Sequence, residues 1–187
     1  MILPIVKYGN PILRAKGKRI EQADERIRAL AADMLETMHA ANGIGLAAQQ
    51  VGAALQLTVI DVSQVEDRPS LMKLNGAKVD PASAMPLTLL NPRLELDEET
   101  TPGNEGCLSF PDITADIDRA ISVRVEAETL DGETIRIEAA GLLARALQHE
   151  VDHLNGILFI DRMSSVAKAS LSSRLKRLQK DTQRSSA

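Results

Sequence analysis

The sequence predicts an α+β fold, with strands in consecutive runs around one buried helix. Stretches rich in apolar and β-branched residues follow one another at 87–96, 121–130 and 133–138. Asp131-Gly132 separates the last two, and Asp-Gly between such stretches is among the strongest short-range hairpin signals. Directly afterwards, residues 142–154 carry Leu142, Leu143, Ala146 and Leu147 at helical spacing, the pattern of a buried helix. An alternating βαβ chain would instead place a helix after each strand.

The remaining elements follow in order. Residues 24–41 read as a helix, because Ile27, Leu30, Met34, Leu35 and Met38 recur on one face and Gly43 is placed to stop it. Residues 55–62 read as a strand. Residues 63–86 hold Pro69, Gly76, Pro81 and Pro86 with little periodicity and are expected to form a long surface loop. A last helix is predicted over 165–181, with Val166, Leu171, Leu175 and Leu178 as its apolar stripe. A single domain spanning 1–187 is expected from the length.

Composition narrows the function classes. A chain of 187 residues should bury roughly 70% of its unfolded surface, enough for a core without covalent staples. Cys107 is the sole cysteine, so a disulfide scaffold is excluded. No stretch approaches the ~18 uninterrupted apolar residues of a membrane span. The first residues lack a basic segment before their short apolar run and do not read as a signal peptide, so a cytoplasmic location and no membrane association are expected. Tyr8, Phe110 and Phe159 are the only aromatic residues, which weighs against nucleic-acid modules that stack bases on rings. The net charge is −4, yet residues 165–187 carry Lys168, Arg174, Lys176, Arg177, Lys180 and Arg184 against Asp181 alone. Such a basic end is either a solvated helix face or a surface for a polyanion such as RNA.

The strongest chemical signal is His149-Glu150-Val151-Asp152-His153. On a helix, residues four apart share a face, so both imidazoles can reach one metal ion, and Glu150 is placed to reach a water on it. A hydrolytic metal usually takes three protein ligands and keeps one position open. Proteases that continue this motif with a third histidine are excluded, because Phe159 stands at that position. Asp161, His39 and Cys107 remain as third-ligand candidates. Cys107 lies in Glu105-Gly106-Cys107-Leu108-Ser109, where the adjacent glycine lets the backbone turn close to a ligand, and Cys/His/His is a sound ligand set for a divalent metal. Residues 43–50, Gly-Ile-Gly-Leu-Ala-Ala-Gln-Gln, lack the third glycine of a dinucleotide fingerprint and the Lys-Ser/Thr of a phosphate loop. They read as a tight turn after a helix, or as backbone laid against a substrate with an amide donor nearby.

Together these three segments resemble the motifs of peptide deformylases, enzymes that remove the formyl group from N-formyl-methionine. Gly43–Gln50, Glu105–Ser109 and His149–His153 occur in the family's order, and the likeness extends to Tyr8–Arg14, Leu90-Asn91-Pro92, Gly141–Gln148 and Leu154–Phe159. The resemblance implies antiparallel sheets packed around the helix that bears the two histidines, followed by a C-terminal helix. It implies Cys107, His149 and His153 as metal ligands and Glu150 as the base that later returns a proton to the leaving amine. Gln50 and the backbone N–H of Leu108 would stabilise the oxyanion, and Gly45 would lie beside the bound peptide.

Helical spacing from His149 adds Leu142 and Ala146, with Ile44, as an apolar pocket for the methionine side chain. Arg145 is expected to lay its stem along the rim with its charge in water. Asp152 and Arg119 are expected to pair and brace the metal helix. Thiolate and imidazole ligands suit Zn2+, whereas the family works best with Fe2+; the expectation is one iron per chain, with Zn2+, Ni2+ or Co2+ able to replace it on purification. The expected partners are nascent N-formylated peptides acted on by a monomer, and the ribosome through the basic C-terminal helix. A protease for internal peptide bonds, a non-catalytic ribosome-associated module and a closed structural metal site are the competing readings. The segment 63–86 is longer than the family usually has, and Phe110–Arg119 differs from its commonest members.

Overall fold

A computed structural model describes residues 1–185. Ser186 and Ala187, the end of the predicted basic tail, lie outside the described residues. The strands are β1 (Gly45–Ala47), β2 (Leu57–Ile60), β3 (Ser70–Leu74), β4 (Ala77–Val79), β5 (Leu87–Leu96), β6 (Thr100–Cys107), β7 (Phe110–Ala120), β8 (Ser122–Glu128) and β9 (Thr134–Gly141). The helices are α1 (Glu25–Ala40), α2 (Pro81–Ala84), α3 (Leu142–Leu154) and α4 (Ser165–Ser185). Among the described residues, seven strands form one sheet in the order β1-β2-β5-β8-β9-β3-β4, and β6 and β7 form a separate pair. Every strand pairing is antiparallel, as expected for α+β. Among the described residues, no helix is long and apolar enough to cross a membrane.

The centre of the molecule is α3, all of whose residues are buried. Leu142, Leu143, Ala146 and Leu147 pack against Ile60, Leu89, Val125 and Ile137 of the large sheet. On another flank, α3 meets β7. A helix covered all round must satisfy its polar side chains locally, and that requirement shapes the site described below. Its N-terminus is capped by the start of β3 and the residue before it. Leu142 donates its N–H to the Pro69 carbonyl at 3.2 Å, and Leu143 donates to Ser70 Oγ at 2.9 Å. Gly141 turns into the helix at φ 73°, with no room for a side chain, since a Cβ there would lie 2.2 Å from the Pro69 oxygen.

The expected surface loop at 63–86 is corrected. It contains the β3–β4 hairpin, which turns at Asn75-Gly76 with both residues at positive φ and extends the large sheet through β9. Only Met72 of this hairpin is buried, so the segment lacks the apolar alternation that reveals a strand. The strands β6 and β7 were not expected either. Glu105 is the one buried residue of β6, and Pro102 and Gly103 within it are residue types that do not signal a strand. The pairing of β6 and β7 shifts near its end: Gly106 faces Thr114, whereas Cys107 faces Phe110. Residues 111–113 therefore bulge out of the ladder, and the Asp112 carbonyl accepts instead from Arg174 of α4.

Smaller differences have local causes. Helix α1 starts at its Asp24 cap, whose side chain accepts from the Ile27 N–H. Asn42, at φ 54°, and not Gly43, makes the left-handed turn after it. Of the stripe expected on α4, Leu171, Leu175 and Leu178 pack beside Phe110 and Phe159. Val166 is 78% exposed, and Ala167 takes its place in the contact.

Candidate metal centre and substrate cavity

His149 and His153 lie one turn apart on α3, with ring centroids 5.0 Å apart. Cys107 ends β6, at the turn that carries the chain back into β7. These elements bring one ligand atom each from Cys107, His149 and His153 within 4.8 Å of one another. The Cys107 Sγ lies 3.3 Å from His153 Nε2. One soft thiolate and two imidazoles form a set that fits a single divalent transition metal.

The orientation of His149 is set from behind. Its Nδ1 lies 2.8 Å from Glu105 Oε1, which leaves Nε2 for a ligand. Arg119 grips the same carboxylate with two nitrogens, at 2.9 and 3.0 Å, and reaches Asp152 Oδ2 at 2.6 Å with a third. The expected Arg119–Asp152 pair is therefore present, and Arg162 joins it from the surface at 2.9 Å. Burial alone would raise the Glu105 carboxyl, but the hydrogen bonds from His149 and Arg119 hold it down at about 2.

Glu150 is the opposite case. It is only 4% exposed, and burial pushes its carboxyl up to about 7. Among the described residues, its Oε2 has no hydrogen-bond partner, and neither does His153 Nδ1. A buried carboxylate left open beside a convergent ligand set is what a reacting water would fill, so the residues present fit a metal centre with an open position. Gly45 makes room for it, because a Cβ there would sit 2.3 Å from Glu150 Oε1.

Gln50 is oriented by its own neighbours. Its Oε1 accepts from the Ala47 N–H at 2.9 Å, which aims the amide nitrogen at Ser109 Oγ, 3.1 Å away, and at Cys107 Sγ, 3.5 Å away. Leu108 follows Cys107 in the β6–β7 turn.

A cavity of about 480 Å3 opens onto these groups. Gly45, Ile44, Leu142, Arg145 and Ala146 all line it, as do Gln50, Leu108 and Glu150. Behind the other two ligands, His153 is 1% exposed.

The polypeptide deformylase family model matches residues 2–169. A peptide deformylase from Methylacidiphilum infernorum is 46% identical over 180 residues, covering 96% of this chain and 94% of that protein. One from Opitutus terrae is 44% identical over 184 residues, covering 97% and 95%. The chain is a peptide deformylase by family.

Solved deformylases share its fold. A plant peptide deformylase superposes with a TM-score of 0.85 at 38% identity, over 98% of this chain and 92% of the other. The Thermotoga maritima peptide deformylase gives 0.74 at 36% identity, over 88% and 99%. This deformylase is thus an enzyme of the α+β class with a possible metal site at Cys107, His149 and His153.

One expectation is corrected in this deformylase. Arg145 does not hold its charge in water. The residue is 7% exposed, and its guanidinium donates to Glu105 Oε2 at 2.8 Å, to the Ile117 carbonyl at 2.7 Å and to the Thr101 carbonyl at 2.8 Å. A buried cation needs such partners, and Glu105 supplies the charge. His39 bonds Asp61 at 2.9 Å and Asp161 accepts from Arg14, so neither joins the ligand set. Sequence reading also passed over Glu105, although it opens the Cys107 motif and is the carboxylate nearest His149. The available signal is an acidic residue two positions before the cysteine, with histidines elsewhere that need a second partner.

Proposed function

We propose that this deformylase removes the N-formyl group from the formyl-methionine that begins newly made polypeptides, releasing formate. One observation carries the reading. Glu150, whose Oε2 has no hydrogen-bond partner among the described residues, lines one cavity together with Gln50, Cys107 and His149.

Cys107, His149 and His153 would hold the metal, which the family resemblance makes ferrous iron, with zinc, nickel or cobalt as replacements. When bound, the metal supplies Lewis acidity that lets water act as a nucleophile near neutral pH. Glu150 takes the proton that the attacking water loses and returns it to the leaving amine, a task suited to a carboxyl held near 7. The formyl oxygen gains negative charge as the carbon becomes tetrahedral, and the Gln50 Nε2 and the Leu108 N–H donate to it. Ile44, Leu142 and Ala146 receive the methionine side chain, and Gly45 lies against the peptide backbone. Arg145 supports that pocket from behind through Glu105.

The decisive experiment measures formate release from a formyl-methionyl tripeptide by anaerobically prepared iron protein, with Glu150→Ala as control. Release by the wild type and its loss in the variant is the expected result. A fully metallated protein that releases no formate would overturn the reading.

The setting of this reaction is the cytoplasm, with the enzyme acting as a monomer. The ribosome is the proposed docking partner through α4, whose Lys168, Lys176, Arg177, Lys180 and Arg184 are exposed. Lys176→Glu with Lys180→Glu should weaken ribosome binding at low salt; unchanged binding would remove α4 from that role.

A further inference from the structure

Three successive residues near the start of the chain are stitched to Gln50 and to the turn that holds Leu108. Val6 donates its N–H to the Gln50 carbonyl at 2.8 Å, and Tyr8 donates its N–H to the Ser109 carbonyl at 2.9 Å. Between them, the Lys7 ammonium donates to the Leu108 carbonyl at 2.9 Å. The segment is itself anchored. Tyr8 stacks on Phe110 with ring centroids 4.8 Å apart. Gly9 lies so close to α4 that a Cβ there would sit 2.7 Å from the Gln179 carbonyl oxygen.

Leu108 is held at its side chain and at its carbonyl, but not at its N–H. The side chain packs against the apolar cluster of α1, and Gly43 leaves it room, since a Cβ there would meet Leu108 Cδ1 at 2.7 Å. The carbonyl is taken by Lys7. Among the described residues, nothing accepts from the Leu108 N–H. A backbone N–H without a partner in a cavity wall is a donor left for a ligand. With the side chain and the carbonyl of one residue fixed, the place of its nitrogen follows from the tetrahedral Cα. Lys7 is half-buried, lines the same cavity, and pairs with no carboxylate among the described residues. Its charge therefore strengthens the bond to the Leu108 carbonyl, because a charged donor makes a shorter and stronger hydrogen bond than a neutral one.

We propose that Lys7 is a positioning residue for the oxyanion donors: its ammonium holds the Leu108 carbonyl so that the Leu108 N–H stays aimed at the formyl oxygen in the transition state. The Val6 bond to the Gln50 carbonyl makes the same short segment set the separation of the two donors. Lys7 contacts no substrate atom in this role. The proposal rests on the deformylase reading above. Outright loss of one oxyanion donor costs about 10²–10³ in kcat elsewhere, so a donor left in place but less well aimed should cost about tenfold.

The test uses Lys7→Met, which keeps an apolar stem without the donor, and Lys7→Arg, which keeps the charge and the donor. With anaerobically prepared iron protein and a formyl-methionyl tripeptide, Lys7→Met should lower kcat about tenfold with KM and metal content unchanged. Lys7→Arg should recover a large part of that loss. In the zinc-loaded protein, hydrogen exchange of the Leu108 amide, followed by NMR, should quicken in Lys7→Met and stay near the wild-type rate in Lys7→Arg. Should Lys7→Met fail to fold, Lys7→Gln, a shorter and uncharged side chain, takes its place with the same expected direction. A wild-type kcat in Lys7→Met would overturn the proposal. So would a rise in KM at constant kcat, because Lys7 would then contact the peptide itself. A fall in kcat with unchanged exchange would equally overturn it, since Lys7 would then act by charge and not by holding Leu108. Formate release missing even from the wild type would sink the deformylase reading and this proposal with it, whereas an active wild type beside an equally active Lys7→Met would sink this one alone.

Discussion

Glu105 holds His149 by its Nδ1 at 2.8 Å, and that one contact ties helix α3 to the strand that ends at Cys107. Glu105→Gln keeps the shape but removes the charge that fixes the imidazole tautomer. Metal affinity should fall about 10- to 100-fold, read by competition with a chelator. Unchanged affinity would mean that α3 packing alone orients the ring.

The same carboxylate sets an acid limit on stability. Its pKa is about 2 in the folded protein against an ordinary 4.5. A depressed carboxylate stabilises the fold fully above 4.5, and that contribution is lost as pH falls from there through 2. Denaturant midpoints measured across this window should fall more steeply for the wild type than for Glu105→Gln. Parallel curves would remove Glu105 from the acid response.

Gly45→Ala is a steric probe of the base. The added Cβ would meet the Glu150 carboxylate at 2.3 Å, and the buried helix α3 gives that side chain little freedom to withdraw. We expect kcat to drop by at least about tenfold with metal content retained, the scale of about 1.4 kcal/mol in the barrier. A variant with wild-type kcat would show that Glu150 occupies another position during turnover.

Gln50→Ala removes a donor aimed by Ala47. Loss of one oxyanion donor elsewhere costs about 10²–10³ in kcat, and a similar fall is expected here without loss of metal. Metal lost along with activity would instead make Gln50 a support for Cys107, which its amide also reaches.

Residues that act through spacing were legible before any fold was known. His149 and His153 could be paired because helical periodicity places residues four apart on one face, and α3 spans the predicted 142–154. The strand at 87–96 was likewise readable, since its buried residues dominate its first half. The hairpins of β3–β4 and β6–β7 are not, because the first strand of each buries a single residue and so lacks the apolar alternation of a strand. Arg145 was misread for a related reason. Spacing gave it the right face, but the strand that carries its carboxylate partner had not been recognised, so solvent seemed the only place for its charge. Long-range ion pairs depend on which strands meet, and no local pattern encodes that.

The bulge at 111–113 separates two tolerances within one hairpin. On its near side, Cys107 is pinned by its pairing to Phe110, which stacks on Tyr8 and meets Phe159 edge-on. On its far side, the ladder from Thr114 to Ala120 runs in an unbroken register against Gly106 to Thr100. A residue gained or lost at Pro111 or Asp112 would fall where no ladder bond exists, leaving the Cys107–Phe110 pair and the buried Ile113 to keep their places. Pro111, Asp112 and Ile113 all face the cavity, so their number sets the height of one of its walls. The hairpin thus gives this enzyme an adjustable doorway on an immovable hinge post, and insertions or deletions there can retune which peptides enter without renegotiating the metal centre.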